Sequence, residues 1–280
     1  MADADGANEA RRKVIERFES TALYWDWVYK GTDACSRVFK RRREVVLRMA
    51  SQLSLPKNAC VLDVGCGSGL IVVELARWGY AVHAIDIAKR MINLTLEHAA
   101  QASVSDRIFA SIGDAQSLQF ADNTFDLVIA VGVLPYLHLP FTAMKEMARV
   151  TKPDGYLIIT SDNYWRLDRI LDPDWSPLFK PLKHFGIKVL NMIGHKRKRM
   201  LDYVYSIKEL RVIVNSARLQ ECKVVAVGFG PFTFHGKQIP DQISVWLTEK
   251  LQQLADRDPL SPLNKLGSHH ILLAKKRTSA

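Results

Sequence analysis

Apolar positions recur at helical spacing near the start of the chain. Val14, Ile15, Phe18, Ala22 and Trp25 predict an amphipathic helix over 11–29. A second helix is predicted over 36–53. There Val38, Val45, Val46, Met49 and Leu53 share one face, while Arg37, Lys40, Arg41, Arg42, Arg43 and Arg48 supply charge. Pro56 closes that region. The period then changes. Short apolar runs bounded by turn residues predict strands at 60–64, 81–85, 107–112, 125–131 and 156–160, separated by helical patterns at 70–78, 88–102 and 141–150. Lys152-Pro-Asp-Gly155 reads as a turn feeding the fifth strand. Ser206 and Glu209 make a capping box at the start of a helix over 206–217, and 221–229 and 269–275 read as two last strands. Strands alternating with helices imply an α/β fold, a mostly parallel sheet of seven strands with helices on both faces.

Two stretches break this rhythm, and the first ten residues, small and acidic, read as a flexible tail. The expected organisation is a tail at 1–10, an N-terminal helical lid at 11–55, and one α/β domain at 56–280 with insertions at 162–205 and 230–267. The first insertion holds Tyr164, Trp165, Trp175, Phe179, Phe185 and the basic run His195–Arg199, broken by Pro173, Pro177 and Pro181. Both insertions follow strands that end at one sheet edge. Their aromatic side chains, with Phe232, Phe234 and Trp246, are therefore expected to line a pocket there.

Composition narrows the class of function. The 280 residues are 48% hydrophobic and 24% charged, ordinary for a globular chain and contrary to disorder. Lys and Arg number 39 against 29 Asp and Glu, a net charge of +10, which favours anionic partners without naming one. No apolar run approaches the ~18–20 residues of a membrane span. The acidic start lacks the basic and apolar regions of a signal peptide. Cys35, Cys60, Cys66 and Cys222 are widely spaced, so neither a metal site nor a disulfide framework is indicated, and a cytoplasmic location is expected.

The strongest chemical signal is Val61-Leu-Asp-Val-Gly-Cys-Gly-Ser-Gly69. A strand delivers the chain to a glycine turn that opens a helix, where backbone can approach a ligand and helix N–H groups lie unpaired. The glycines are spaced G-x-G-x-G, not the G-x-G-x-x-G of a dinucleotide turn. Asp63, two residues before the first glycine, would oppose a pyrophosphate and favour an ammonium. Asp86 ends the second strand, where a carboxylate can accept both hydroxyls of a ribose.

With these residues the chain resembles the class I S-adenosylmethionine-dependent methyltransferases, in the branch similar to quinone and small-molecule methyltransferases. The resemblance runs from about Ala59 to Thr160 through five ordered motifs: Val61–Gly69, Ala84–Ala88, Ile112–Ala115, Phe125–Val133 and Thr151–Gly155. It implies a Rossmann-like fold and S-adenosyl-L-methionine as cofactor. By the same resemblance Asp63 would meet the methionine ammonium, and Gly65, Gly67 and Gly69 would pack beneath the cofactor. Asp86 would take the ribose and Asp114 the adenine amino group. Val131 and Gly132 would lie near the methionine end. Cys66, Ile87 and Ala115 fall inside these motifs and are counted with the cofactor residues. Cys66 reads as a small turn-filling side chain, since no base accompanies it. Asp126 reads as a residue that orients its turn. Leu134-Pro-Tyr136 departs from the family pattern, so acceptor roles do not carry over there.

Outside those motifs the alternatives stay open. His138 follows the fourth strand at the ligand edge and is the leading general base, against a loop or packing role. His235 is a weaker candidate, and His195 belongs to a solvated run. Tyr24, Trp25 and Tyr29 either cap the cofactor or pack an amphipathic helix; Tyr24 is counted with the cofactor residues. The basic runs Arg37–Arg43 and His195–Arg199 read as solvated faces. The expected function is methyl transfer to a small, largely apolar acceptor, at a hydroxyl. C- or N-methylation of a quinone, lipid or other small molecule is the alternative, and contact with an anionic membrane surface is allowed. A nucleic-acid binder or modifier is the other class; the spread charge and the missing recognition motifs argue against it. Oligomeric state stays open.

Overall fold

The computed structural model describes residues 2–179, 203–258 and 260–277. Phe185, Pro181 and the run His195–Arg199 lie outside them. Two helices lead, α1 (Ala2–Val28) and α2 (Ala34–Ser51). Alternating elements follow: β1 (Cys60–Val64), α3 (Leu70–Arg77), β2 (Ala81–Asp86), α4 (Lys89–Gln101), β3 (Ile108–Ile112), β4 (Phe125–Ala130), α5 (Pro140–Val150) and β5 (Thr151–Asp162). The remainder is α6 (Leu167–Leu171), α7 (Ile207–Ser216), β6 (Leu219–Val227), the short strands β7 (Thr233–Phe234) and β8 (Lys237–Gln238), α8 (Asp241–Arg257) and β9 (His269–Lys276).

The seven-stranded sheet has the order β3-β2-β1-β4-β5-β9-β6. Strands β1 to β5 pair in parallel, and β9 runs antiparallel to both β5 and β6. The order reverses between β1 and β4, which opens a crevice at their C-terminal ends. Strand periodicity divides the core between two faces. On β4, Val128 and Ala130 join α5 and α7 through Met144, Met147 and Leu210. Leu127 and Ile129 join α2 and α3 through Val46, Met49 and Leu75. Each fully buried aliphatic side chain contributes about 1.5–3 kcal/mol, so these layers hold the sheet edge rigid.

Three expectations are corrected. Helix α1 begins at Ala2, inside the stretch expected to be a tail. Ala2, Ala4, Ala7 and Ala10 carry the best helix propensity, and Lys13 pairs with Glu9 one turn away at 2.5 Å, which together outweigh the single Gly6. Lys152–Gly155 is a bulge within β5, not a turn before it. Thr151 pairs with Phe125 and Tyr156 with Leu127, so the intervening residues loop out, with Asp154 at φ +62°. Among the described residues, the insertion aromatics Tyr164, Trp165, Trp175, Phe232, Phe234 and Trp246 do not line the central cavity. Trp165, Trp175, Phe234 and Trp246 are exposed, and Phe232 packs with Phe229 and Ala255 in a separate cluster. No helix among the described residues is long and apolar enough to cross a membrane.

Candidate functional site

Strand β1 ends in a turn where Gly65, Gly67 and Gly69 all have positive φ, and α3 starts directly after Gly69. The three glycines serve different needs. A side chain on Gly69 would meet the Thr95 side chain at 2.7 Å and its Cα at 2.9 Å. One on Gly65 would meet Val133. Gly67 has nothing within 4 Å, so its Cα faces open space that a ligand can fill. Asp86 fastens this turn to β2: its Oδ2 accepts from the Gly67 N–H at 3.0 Å and its Oδ1 from the Ala88 N–H at 2.9 Å.

Asp63 is buried, and burial together with the neighbouring Asp86 carboxylate pushes it up to about 8. A cationic ligand group in the open cradle beside it would favour its ionised form. Asp86 is also raised, mainly by burial, against the lowering effect of its backbone donors. Burial and the two carboxylates hold the Cys66 thiol well above its ordinary value, so it is not a thiolate nucleophile. Asp114, just past β3, accepts from the Gln116 N–H at 2.9 Å, and Arg11 of α1 pairs with it at 2.9 Å. Asp126 lies off the site. It accepts from the Cys60 N–H at 2.9 Å and pairs with Lys152, joining β1 to the foot of β5.

These residues enclose a cavity of about 310 Å³. Asp63, Gly65, Cys66, Gly67, Asp86, Ile87, Asp114, Ala115, Val131 and His138 all line it. Two candidates do not. Gly69 packs against Thr95 and serves the turn. Tyr24 is 47% exposed and its hydroxyl lies 3.9 Å from the Cys35 sulfur. At about 100° per residue on a helix, Phe18 and Trp25 share the inward stripe of α1 and Tyr24 falls beside it, while Tyr29 reaches the cavity from just past the helix end. His235 is exposed near Asp174 and away from the cavity.

Sequence reasoning missed the other wall. Arg42, Asp162, Arg166 and His269 line the cavity on the side of β5 and β9. Arg42 is 5% exposed, contrary to the reading of Arg37–Arg43 as a solvated face. A signal existed, because Arg42 occupies the same stripe as Val38, Val45, Val46 and Met49. His269 is buried, with Nε2 3.5 Å from Asp162 and its ring 5.5 Å from that of Phe39. Burial, Arg42 and Arg166 hold it well below the ordinary histidine range, so it is neutral. Its position at the first residue of the last strand carries no local motif.

Residues 62–159 match a family model described as a methyltransferase domain. A sterol 4-C-methyltransferase of Caenorhabditis elegans is 32% identical over 140 residues, 49% of this chain and 40% of that protein. A ubiquinone/menaquinone biosynthesis C-methyltransferase of Geotalea daltonii is 28% identical over 206 residues, 70% of this chain and 80% of that one. The structure of magnesium protoporphyrin IX methyltransferase from Synechocystis PCC 6803, with bound S-adenosylhomocysteine, matches with a TM-score of 0.61. It shares 16% identity and covers 95% of this chain and 99% of that one, a likeness of fold. The chain spans 40%, 59% and 62% of the lengths of the first three curated relatives it matches.

Proposed function

We propose that this chain, which carries a class I S-adenosylmethionine-dependent methyltransferase domain, transfers a methyl group to a small, largely apolar acceptor in the cavity beneath α1 and α2. The observation that carries the reading is convergence. Asp63, the open face of Gly67, Asp86 and Asp114 line one cavity together with the apolar side chains of Phe18, Trp25, Phe39 and Leu137. S-adenosylmethionine, when bound, supplies a methyl group already activated on a sulfonium sulfur.

Four groups of this chain would hold the cofactor. Asp63 takes the ammonium, which draws its proton off. The free lone pairs of Asp86 take the ribose hydroxyls, Asp114 takes the adenine amino group, and Gly67 lets the backbone lie against the ligand. Helices α1 and α2 exclude water and align the acceptor, an effect that can supply about 7–11 kcal/mol.

The acceptor atom in this reading is a hydroxyl oxygen. The imidazole of His138, at the cavity wall, would take the proton of that hydroxyl as the methyl group leaves the sulfonium sulfur for the oxygen. A carbon acceptor is the second reading, favoured because two relatives are named as C-methyltransferases. The experiment incubates the full chain with 13C-methyl S-adenosylmethionine and a panel of quinols, phenols and sterols. Carbon NMR of the product separates an O-methyl from a C-methyl signal. No cofactor binding and no labelled product across the panel would reject the reading.

A further inference from the structure

Among the described residues, the arginines of α2 other than Arg42 each reach a carboxylate. Arg37 pairs with Glu249, Arg41 with Asp256, Arg43 with Glu74 at 3.7 Å, and Arg48 with Glu44. Arg42 is the most deeply placed and has none within 4 Å. Its Nη2 donates to the Tyr29 hydroxyl at 3.1 Å, and its guanidinium lies 4.6 Å from the centroid of the Phe39 ring. Its Nε is buried without a partner. Its Nη1 lies 3.2 Å from where a side chain on Gly132 would begin, at the end of β4.

Burying a guanidinium costs several kcal/mol unless an anion compensates it. A hydroxyl and a ring face compensate only part of that. The opposite wall brings Arg166 together with two carboxylates of its own, Asp168 paired with that arginine at 3.0 Å and Asp162 at 3.5 Å from His269. The charge of Arg166 is thus matched locally, whereas Arg42 has no carboxylate within reach among the described residues. The imidazole of His269, held neutral by burial and by both arginines, adds no charge. The guanidinium fork of Arg42 suits a planar two-oxygen anion better than a point charge.

We propose that Arg42 anchors a buried anion subsite in the half of the cavity away from Asp86 and Asp114, and that a carboxylate or similar acid group of a bound ligand sits on it. Two ligands can bring that group. One is an acceptor bearing an acid substituent on its apolar body. The other is S-adenosylhomocysteine or its methylated parent, through the amino-acid carboxylate, since Gly132 marks where the two ligands meet. The second source rests on the function proposed above; the subsite itself rests only on the cavity.

The test is calorimetric titration of the full chain as wild type, Arg42→Met and Arg42→Lys, with melting curves to confirm that each variant folds. The titrants are S-adenosylhomocysteine; 5′-methylthioadenosine, which lacks the amino-acid group; and benzoate with benzamide as its neutral control, each with and without the adenosine ligand. Arg42→Met is expected to weaken one carboxylate-bearing titrant about 10–100-fold, with 5′-methylthioadenosine and benzamide unchanged and Arg42→Lys intermediate. Loss on S-adenosylhomocysteine assigns the subsite to the cofactor, and loss on benzoate assigns it to the acceptor. Changes within twofold for both, or a wild type that binds neither, overturn the subsite. A wild type that binds benzoate through Arg42 but no adenosine ligand leaves the subsite standing and removes the methyltransferase reading.

Discussion

The Nε of Arg11 lies 2.9 Å from the Oδ2 of Asp114, so the first helix is tied across the cavity to the residue just past β3. A second tie lies further along α1. Asp26 is 3.3 Å from His98 Nε2, and the Nδ1 of that ring is 2.7 Å from the Ser68 carbonyl of the glycine turn. An exposed pair of the first kind contributes only about 0.2–1 kcal/mol. Such contacts hold α1 closed without locking it.

Helix α1 should therefore gain hydrogen-exchange protection when S-adenosylhomocysteine is added, most strongly around Arg11 to Phe18. Arg11→Ala should raise exchange there in the free protein and leave β1 and β4 unchanged. Equal protection with and without ligand in the wild type would make α1 a fixed packing element.

The two glycines Gly67 and Gly69 should separate binding from folding. Gly67→Val places methyl groups in the open cradle and should abolish S-adenosylhomocysteine binding, with a modest loss of stability from the positive φ. Gly69→Val drives a side chain into Thr95, backbone included, and should unfold the chain or cost several degrees in melting temperature. Calorimetry and melting curves on both variants check this; a Gly67→Val protein that still binds would displace the ligand from the turn.

Asp86→Ala should cost both properties at once. It removes the acceptors for Gly67 and Ala88 N–H and the group expected to hold the ribose. Cofactor affinity should fall by about 2–4 kcal/mol, measured by titration. An unchanged affinity would mean that the carboxylate only braces the turn.

The raised Asp63 gives a proton linkage of definite sign. A carboxyl shifted from 3.8 to about 8 in the folded chain contributes stability that is full below its unfolded value and lost as pH rises toward 8. Binding of an ammonium beside it reverses the shift. Ligand binding near pH 7 should thus release a proton and strengthen as pH rises toward about 8, where an α-amino group begins to lose its own charge. Titrations in buffers of different ionisation enthalpy count the proton. Asp63→Asn should abolish the release, and a wild type that releases none would place the ammonium elsewhere.

His138→Ala should lower the maximal methyl-transfer rate about 10²–10⁴-fold if that side chain takes the acceptor proton, with cofactor affinity unchanged. Full turnover from pH 6 to 9 would hand the role to another group.

The half of the site proposed to hold the cofactor was legible because its parts are local. A strand, a glycine turn and a helix start within Val61–Leu70, and strand ends at Asp86 and Ala130, are positions that short-range pattern predicts. A parallel sheet then brings all of them to one edge without further information. That is why Asp63, Gly67, Asp86 and Asp114 meet in the cavity as expected. The same locality explains Asp126, whose bonds to Cys60 and Lys152 are made by neighbouring strands.

The acceptor half depended on tertiary structure, because its walls come from elements far apart in the chain. Arg42 was legible as part of an apolar stripe, yet only the packing of α2 against β9 turns that stripe into a buried face. His269 meets Asp162 through an antiparallel pairing between the fifth and last strands. Tyr24 and Trp25 are adjacent in sequence and both aromatic, and only the rotation of α1 against α4 decides that Trp25 faces inward. Periodicity specifies which residues share a face; the docking of that face on the rest of the chain specifies whether it meets water, core or ligand.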